Sequence, residues 1–133
     1  MKKYFKSSLL IFLLFITACK NETCKDVVYK NGLSYKNNLL YTGTCVTHHT
    51  NGNISSIQSY LNGFDHGKWE FFFPNKIKRT EGEFFKGKKH GKWIYYYENQ
   101  KVWKENFYTY GKKTGIWNVY NMDGKLTSTV KIN

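Results

Sequence analysis

Acid–base or nucleophilic catalysis by this 133-residue sequence would have to use its nine carboxylates, four histidines and three cysteines. Glu81 and Glu83 would share one face of a strand, but no surrounding pattern predicts the separated pKa values that a paired acid and base need. His66 and His90 fall in predicted turns, and no cysteine, serine or carboxylate pattern is organised around them. The sequence therefore predicts no catalytic residues and no cofactor, and we expect a protein that is not an enzyme.

Metal coordination is also poorly supported by the spacing of candidate ligands. Cys24 and Cys45 have only His48 and His49 nearby as further ligands. Adjacent residues of a strand point to opposite faces, so the two imidazoles cannot both turn toward one ion. We expect no metal site.

Lysine is the residue whose number and position do suggest a binding role. The sequence has 21 Lys and Arg against 9 Asp and Glu, a net charge of +12, which falls to +9 without Lys2, Lys3 and Lys6. Six lysines cluster around two predicted turns of one sheet edge: Lys86, Lys88, Lys89, Lys92, Lys112 and Lys113. Such a ridge can attract anionic lipid headgroups or acidic polysaccharide. The alternative is a solvated edge that prevents aggregation between strands.

The first 18 residues have the layout of a secretory signal peptide. Three lysines precede an apolar segment, 9–16, and the small residue Ala18 closes it. The segment is too short to remain as a membrane-spanning anchor. The next residue completes Ile-Thr-Ala-Cys, 16–19, which resembles the lipobox of bacterial lipoproteins. The alternatives are an ordinary signal peptide followed by a chance cysteine, and a buried helix.

The lipobox resemblance implies both a location and a first partner. In that family a lipid is attached to the sulfur of the cysteine, here Cys19, and the signal peptide is removed, so that acyl chains anchor the protein in a membrane. Residues 19–26 would then be a lipidated polar tether, and Lys20 in place of Asp implies the outer membrane of the bacterial cell envelope. Export makes nucleic acid an unexpected partner.

An exported protein matures in an oxidising compartment, where paired cysteines normally form disulfides. Only Cys24 and Cys45 remain after Cys19, so one pairing is available to them. The alternative is two separate buried thiols.

Repetition at a fixed period organises the rest of the chain. Trp69, Trp93 and Trp117 are 24 residues apart. The same interval relates two sets of glycines: Gly63, Gly87 and Gly111, and again Gly67, Gly91 and Gly115. It also relates the aromatic residues Tyr60, Phe84 and Tyr108. Aromatic residues make up 19% of the sequence, and it contains a single proline. Disordered chains are poor in aromatic residues and rich in proline, so intrinsic disorder is not expected.

Each 24-residue unit predicts two antiparallel strands and two turns. Aromatic runs such as 68–73 and 92–97 favour strands, and Asn51-Gly52 and Asp123-Gly124 favour tight turns between strands. Gly-x-x-x-Gly returns the chain for the next strand, since glycine accepts positive φ at both corners. Ile77 follows its tryptophan by eight residues where Val102 follows by nine, which predicts a bulge or shifted turn near Pro74.

The pattern Tyr-x-x-Gly-x-x-x-Gly-x-Trp-x-x-Tyr/Phe resembles the MORN repeat (membrane occupation and recognition nexus), in the variant found in small bacterial lipoproteins. The resemblance covers about residues 27 to 132, and the repeat domain would span 27–133. It implies an all-β fold, an elongated and twisted antiparallel meander of β-hairpins. Some bacterial members are labelled as the antitoxin component of a toxin–antitoxin system.

The fold and the composition together favour a binding or scaffold role. The repeated tryptophans are expected to form the core of the sheet, because every unit of a repeat protein must solve the same packing problem. The alternative is an aromatic platform for a glycan or peptide. The expected function is a non-catalytic binding module with an unidentified protein partner; the alternatives are an antitoxin-like or immunity-like protein and a binder of anionic lipid or polysaccharide.

Overall fold

The computed structural model describes residues 22–132, so the predicted signal peptide and the lipidation residue Cys19 lie outside the described residues. Within that range the chain is nearly all β, and its only helix is a short 3-10 turn, Cys24–Asp26. The strands are β1 Glu22–Thr23, β2 Val28–Lys30, β3 Leu33–Lys36, β4 Leu39–Leu40, β5 Gly43–His48, β6 Ile54–Leu61, β7 Phe64–Asp65, β8 Gly67–Phe72, β9 Lys78–Phe85, β10 Lys88–Tyr96, β11 Val102–Thr109, β12 Lys112–Tyr120 and β13 Leu126–Ile132. No helix in this range has the length and apolar character needed to cross a membrane.

The main sheet follows chain order, as the sequence predicts. Its strands run β1-β5-β6-β8-β9-β10-β11-β12-β13, with β7 also paired to β6. Each consecutive pair from β5 onward is antiparallel. The prediction of an all-β antiparallel meander is confirmed. The expected tether is more structured than its polar sequence suggests, because β1 pairs in parallel with β5, and a small second sheet, β2-β3-β4, follows it.

Two kinds of turn alternate along the meander. At the edge formed by the Gly-x-x-x-Gly segments, the turn residues Asn62-Gly63, Lys86-Gly87 and Tyr110-Gly111 all have positive φ. Two successive positive φ values match the right-handed twist of the flanking strands, and glycine at the second position accepts them without strain. Each turn is tied to the preceding unit: the Gly87 N–H donates to Asp65 O at 2.9 Å, and the Gly111 N–H donates to Lys89 O at 2.8 Å.

The opposite edge has the predicted bulge near Pro74, but the bulge is not specific to that turn. The Phe73 N–H donates to Ile77 O at 2.8 Å, and the Tyr97 N–H makes the equivalent bond to Lys101 O at 2.9 Å. A register shift follows every one of these turns, including those of β5–β6 and β12–β13. The bulge is therefore a property of each hairpin, and Ile77 occupies the same turn position as Lys101.

The histidines also differ from their prediction as turn residues. His90 lies within β10, beside a register shift that separates its pairing with Glu83 from that of Ile94 with Glu81. Its ring packs 6.0 Å from the ring of Phe85 and 5.0 Å from that of Tyr110. His66 lies between β7 and β8 and packs 5.2 Å from Phe85. Because β10 contains this bulge, the strand begins at Lys88, and the part of the Gly-x-x-x-Gly segment that follows Gly87 is strand and not turn.

One face of the main sheet carries a column of alternating rings. Successive centroids from Tyr41 to Trp117 are 4.9 to 6.5 Å apart, in the order Tyr41, Tyr60, Trp69, Phe84, Trp93, Tyr108, Trp117. Trp93 is only 2% exposed and Trp69 is 9% exposed. Each tryptophan indole donates to the carbonyl ten residues before it, at 2.8, 3.1 and 3.2 Å. Trp69 and Trp93 therefore pack as core, Trp117 at the end of the column is half-buried, and the indole N–H of each is satisfied.

The N-terminal segment closes the first end of this column. Cys45, fully buried, forms a disulfide with Cys24, as predicted. Cys24 and Val27 pack against the buried cluster of Tyr41, Cys45, Tyr60 and Trp69. The disulfide thus holds the segment that follows the predicted anchor onto the first hairpin of the sheet.

Candidate functional site

An open groove on the face of the tryptophan column is the candidate binding site. Its volume is about 640 Å³, and its lining includes Phe73, Arg79, Tyr95, Tyr97, Trp103 and Met122. Trp103 packs 6.3 Å from Tyr95 and 6.2 Å from Tyr97. Trp103 nevertheless remains 41% exposed, unlike the core tryptophans. An aromatic concavity of this size is typical of a ligand-binding surface.

The groove exists because the hairpin bulge adds a residue to β11. Tyr95 pairs with Lys104 and Tyr96 with Val102, so Trp103 has no partner of its own in this register. A bulge redirects the side chain of the extra residue. Here it places Trp103 over the same face as Tyr95 and Tyr97, beside the turn that contains Glu98.

Three lysines border this aromatic surface, and we call Lys89, Lys104 and Lys113 the lysine layer. Lys104 Nζ lies 4.4 Å from the ring centroids of both Tyr95 and Trp103. Lys89 Nζ lies 4.1 Å from the Trp93 ring and donates to Tyr95 Oη at 3.3 Å. Lys113 Nζ lies 4.8 Å from the Trp117 ring. Each ammonium group is therefore held close to the ring surface by cation–π attraction.

The lysine layer carries positive charge that is not neutralised within residues 22–132. The lysines in ion pairs there are Lys36, Lys68, Lys78 and Lys92. Burial lowers the pKa of Lys104, and repulsion from Lys89 and Lys113 lowers it further. The three ammonium groups therefore share one electrostatic environment, which an anion would stabilise.

The opposite face of the sheet holds the paired carboxylates. Lys78 Nζ lies 2.6 Å from Glu70 and 3.0 Å from Glu81, and Tyr96 donates to Glu81 at 2.6 Å. Burial alone would raise the pKa of Glu70, but hydrogen bonds from Lys78 and Lys68 outweigh burial, and the pKa lies below its ordinary value. The ion pairs of Glu70 and Glu81 thus lie on one face of the sheet, and the lysine layer lies on the other.

The six lysines of the predicted ridge do not share one surface. Lys89 and Lys113 belong to the lysine layer, whereas their exposed neighbours Lys88 and Lys112 alternate to the other side of their strands. Lys92 forms an ion pair with Glu105, and Lys86 lies 5.6 Å from the Phe85 ring at its turn. Anion binding at the edge stays a prediction, and the face of the sheet offers a second location for it.

Sequence reasoning missed Trp103, Lys104 and Arg79 because it selected residues that recur every 24 positions, and these three do not recur. The positions equivalent to Trp103 hold Arg79 and Thr127, and those equivalent to Lys104 hold Thr80 and Ser128. A departure from the repeat in one unit was the available signal, since residues required for packing recur in every unit. Asp65 is a third departure, because it stands where the later units have Lys89 and Lys113.

Metal coordination has no candidate ligand set in the part of the chain that the structure describes. No group of three or more His, Cys, Asp or Glu side chains is placed there to hold a metal ion. Glu98, the carboxylate that lines the groove, accepts a hydrogen bond from Asn75 at 3.2 Å. What the arrangement offers chemically is contact: exposed aromatic surface bordered by ammonium groups.

Comparison with protein-family models, with curated proteins and with solved structures finds no match to this chain.

Proposed function

We propose that this protein is a lipid-anchored binding module of the bacterial envelope, built from MORN-type repeats, that holds its partner in the aromatic groove without catalysing a reaction. The observation that carries this proposal is the exposure of Trp103 and Met122, 41% and 64%, in a sheet whose repeated tryptophans are buried or half-buried. Exposed aromatic surface of this kind is costly to leave in water and is typical of recognition sites.

The recurrence of local contacts supports the repeat assignment. Tryptophans 24 residues apart make the same indole hydrogen bond to the carbonyl ten residues earlier. Turns 24 residues apart make the same backbone bonds to the preceding unit. Equivalent contacts at equivalent positions are what stacked repeat units require.

The partner is a protein of the envelope, and an antitoxin-like or immunity-like role, in which the module neutralises a specific toxin, is one form of this function. A second candidate is the binding of anionic lipid or acidic polysaccharide. The observation that favours it is the lysine layer, which lacks carboxylate partners among residues 22–132.

The anchor is tested by labelling cells with palmitate. Label should enter the wild-type protein and be absent from the Cys19→Ala variant, whose signal peptide should remain uncleaved because lipid attachment precedes cleavage in the lipoproteins that it resembles. Membrane fractionation and gel mobility measure both effects. A processed Cys19→Ala protein that still fractionates with membranes would contradict the lipid anchor.

The groove is tested by photo-crosslinking in native membranes. A photoreactive amino acid in place of Met122 should capture the partner, and Trp103→Ala in the same chain should reduce the captured amount about tenfold, as expected for a central aromatic contact. The matched control is Tyr110→Ala, which removes another exposed ring, 56% exposed, that packs against His90. Equal capture with Trp103→Ala and with the control would show that the groove is not the contact surface.

A further inference from the structure

We propose that the groove and the lysine layer together bind an acidic polysaccharide of uronic acid units, an inference that rests on the second candidate function, the binding of an anionic polymer, and specifies its ligand and its site. The site would extend over β10, β11 and β12, because these strands carry Lys89, Lys104 and Lys113. It lies on the face of the sheet and not on the turn edge where the lysines cluster in sequence.

The charge of the ligand follows from the pairing of the acidic residues. On the face opposite to the groove, lysines form ion pairs with the glutamates: Lys68 and Lys78 with Glu70 and Glu81, and Lys92 with Glu105. On the groove side, Glu98 is bonded by an amide, and no ion pair within residues 22–132 involves the lysine layer. A ligand with repeated negative charge would relieve the repulsion among the three ammonium groups.

The ring contacts indicate the shape of the ligand. The ammonium groups of Lys89, Lys104 and Lys113 lie 4.1 to 4.8 Å from aromatic ring centroids, so each charge is held beside a ring surface, and Lys89 and Lys104 are in addition partly buried. A ligand must therefore present its anionic group directly beside an apolar surface. A uronic acid does this, because its carboxylate is attached to a sugar ring whose C–H face can rest on Trp103 or Tyr95.

The choice of cation argues against a phosphate ligand such as nucleic acid. Arg79, the only arginine in the sequence, lines the groove, whereas the lysine layer contains no arginine. Arginine presents a planar fork that matches phosphate oxygens, whereas lysine acts as a hydrated point charge. A layer made only of lysines suits separate carboxylates distributed along a chain.

Lys104 also has the signature of a residue kept for binding. Its two equivalents in neighbouring units are the small residues Thr80 and Ser128. Its pKa is lowered by burial and by repulsion from the neighbouring lysines, which opposes the attraction of its ammonium group to the Tyr95 and Trp103 rings. Residues required for packing recur in every unit, so this departure from the repeat is expected of a binding residue.

The experiment measures binding of the full chain, in neutral detergent, to immobilised polygalacturonate, with the neutral polysaccharide dextran and single-stranded DNA as comparison surfaces. The double variant Lys89→Gln, Lys113→Gln should weaken polygalacturonate binding about tenfold or more. The matched control, Lys88→Gln with Lys112→Gln, removes the same charge one residue away on each strand and should bind like wild type. Lys104→Met, which keeps an unbranched side chain and removes the charge, should also weaken binding.

Each result bears on the inference separately from the proposed function. Wild-type binding should be lost as ionic strength rises from about 10 mM to about 1 M, over which the Debye length falls from about 30 Å to about 3 Å. The site would be overturned if the control variant, Lys88→Gln with Lys112→Gln, lost polygalacturonate binding while Lys89→Gln with Lys113→Gln kept it. Equal binding to dextran, or tighter binding to DNA, would overturn the ligand class, and so would the absence of polygalacturonate binding at low salt. Partner capture at Met122 is a separate readout and would stand after any of these failures.

Discussion

Replacing Trp93 with alanine should lower the free energy of unfolding by about 3–5 kcal/mol. Trp93 is 2% exposed, donates its indole N–H to Glu83 O at 3.1 Å, and packs 5.1 Å from the Phe84 ring. The residue beneath it is Gly82, where a Cβ atom would come within 2.3 Å of the Trp93 ring. Because glycine has no side chain with which to fill the vacated volume, the cavity should remain large. Urea denaturation followed by tyrosine fluorescence measures the change.

Trp103→Ala is the control, since it removes the same side chain from a site that is 41% exposed. Its cost should be below about 1 kcal/mol, as expected for a surface residue. Trp93→Ala folding as stably as Trp103→Ala would mean that the column is not the core, and would favour the aromatic-platform interpretation of the repeated tryptophans.

Removing the disulfide should lower the free energy of unfolding by about 3 kcal/mol, the value expected for closing a loop of this length in the unfolded chain. The bridge joins Cys24 to Cys45, 21 residues apart. The variant is Cys24→Ala with Cys45→Ala, measured by urea denaturation without reductant. The loss should be concentrated at the first hairpin, because Cys24 and Val27 cover the buried cluster around Tyr41.

Reduction of the wild-type protein provides a second route to the same state without substitution. Dithiothreitol should destabilise wild type by a similar amount and leave the double variant unchanged. Two titratable thiols in unreduced, unfolded wild-type chain with Cys19 blocked would contradict the disulfide.

Much of the fold could be predicted from residue spacing, because a hairpin meander is built from local contacts. Turn residues such as Asn62-Gly63, strand-forming aromatic runs and a constant 24-residue interval each refer to neighbours along the chain. Where the local signal was weak, the prediction was incomplete. Lys76 and Gln100 take positive φ values of 70° and 68°, and the Pro74 turn matches the other hairpins although its sequence differs. The packing of each turn against its neighbour outweighs the preference of these residues.

By itself, the sequence determined the all-β class, the order of the strands and the availability of Cys24 and Cys45 for one bridge. The tertiary structure decided which face each side chain occupies, since a bulge in every hairpin changes the alternation that a regular strand would follow. It therefore divided the clustered lysines, placing Lys89 and Lys113 over aromatic rings and Lys92 beside Glu105. It also brought together two departures from the repeat, since Trp103 lines the groove and Lys104 lies over the Trp103 ring. Which residues face each other on adjacent strands depends on the strand register. In a bulged sheet, that register is set by the packing of all the hairpins together.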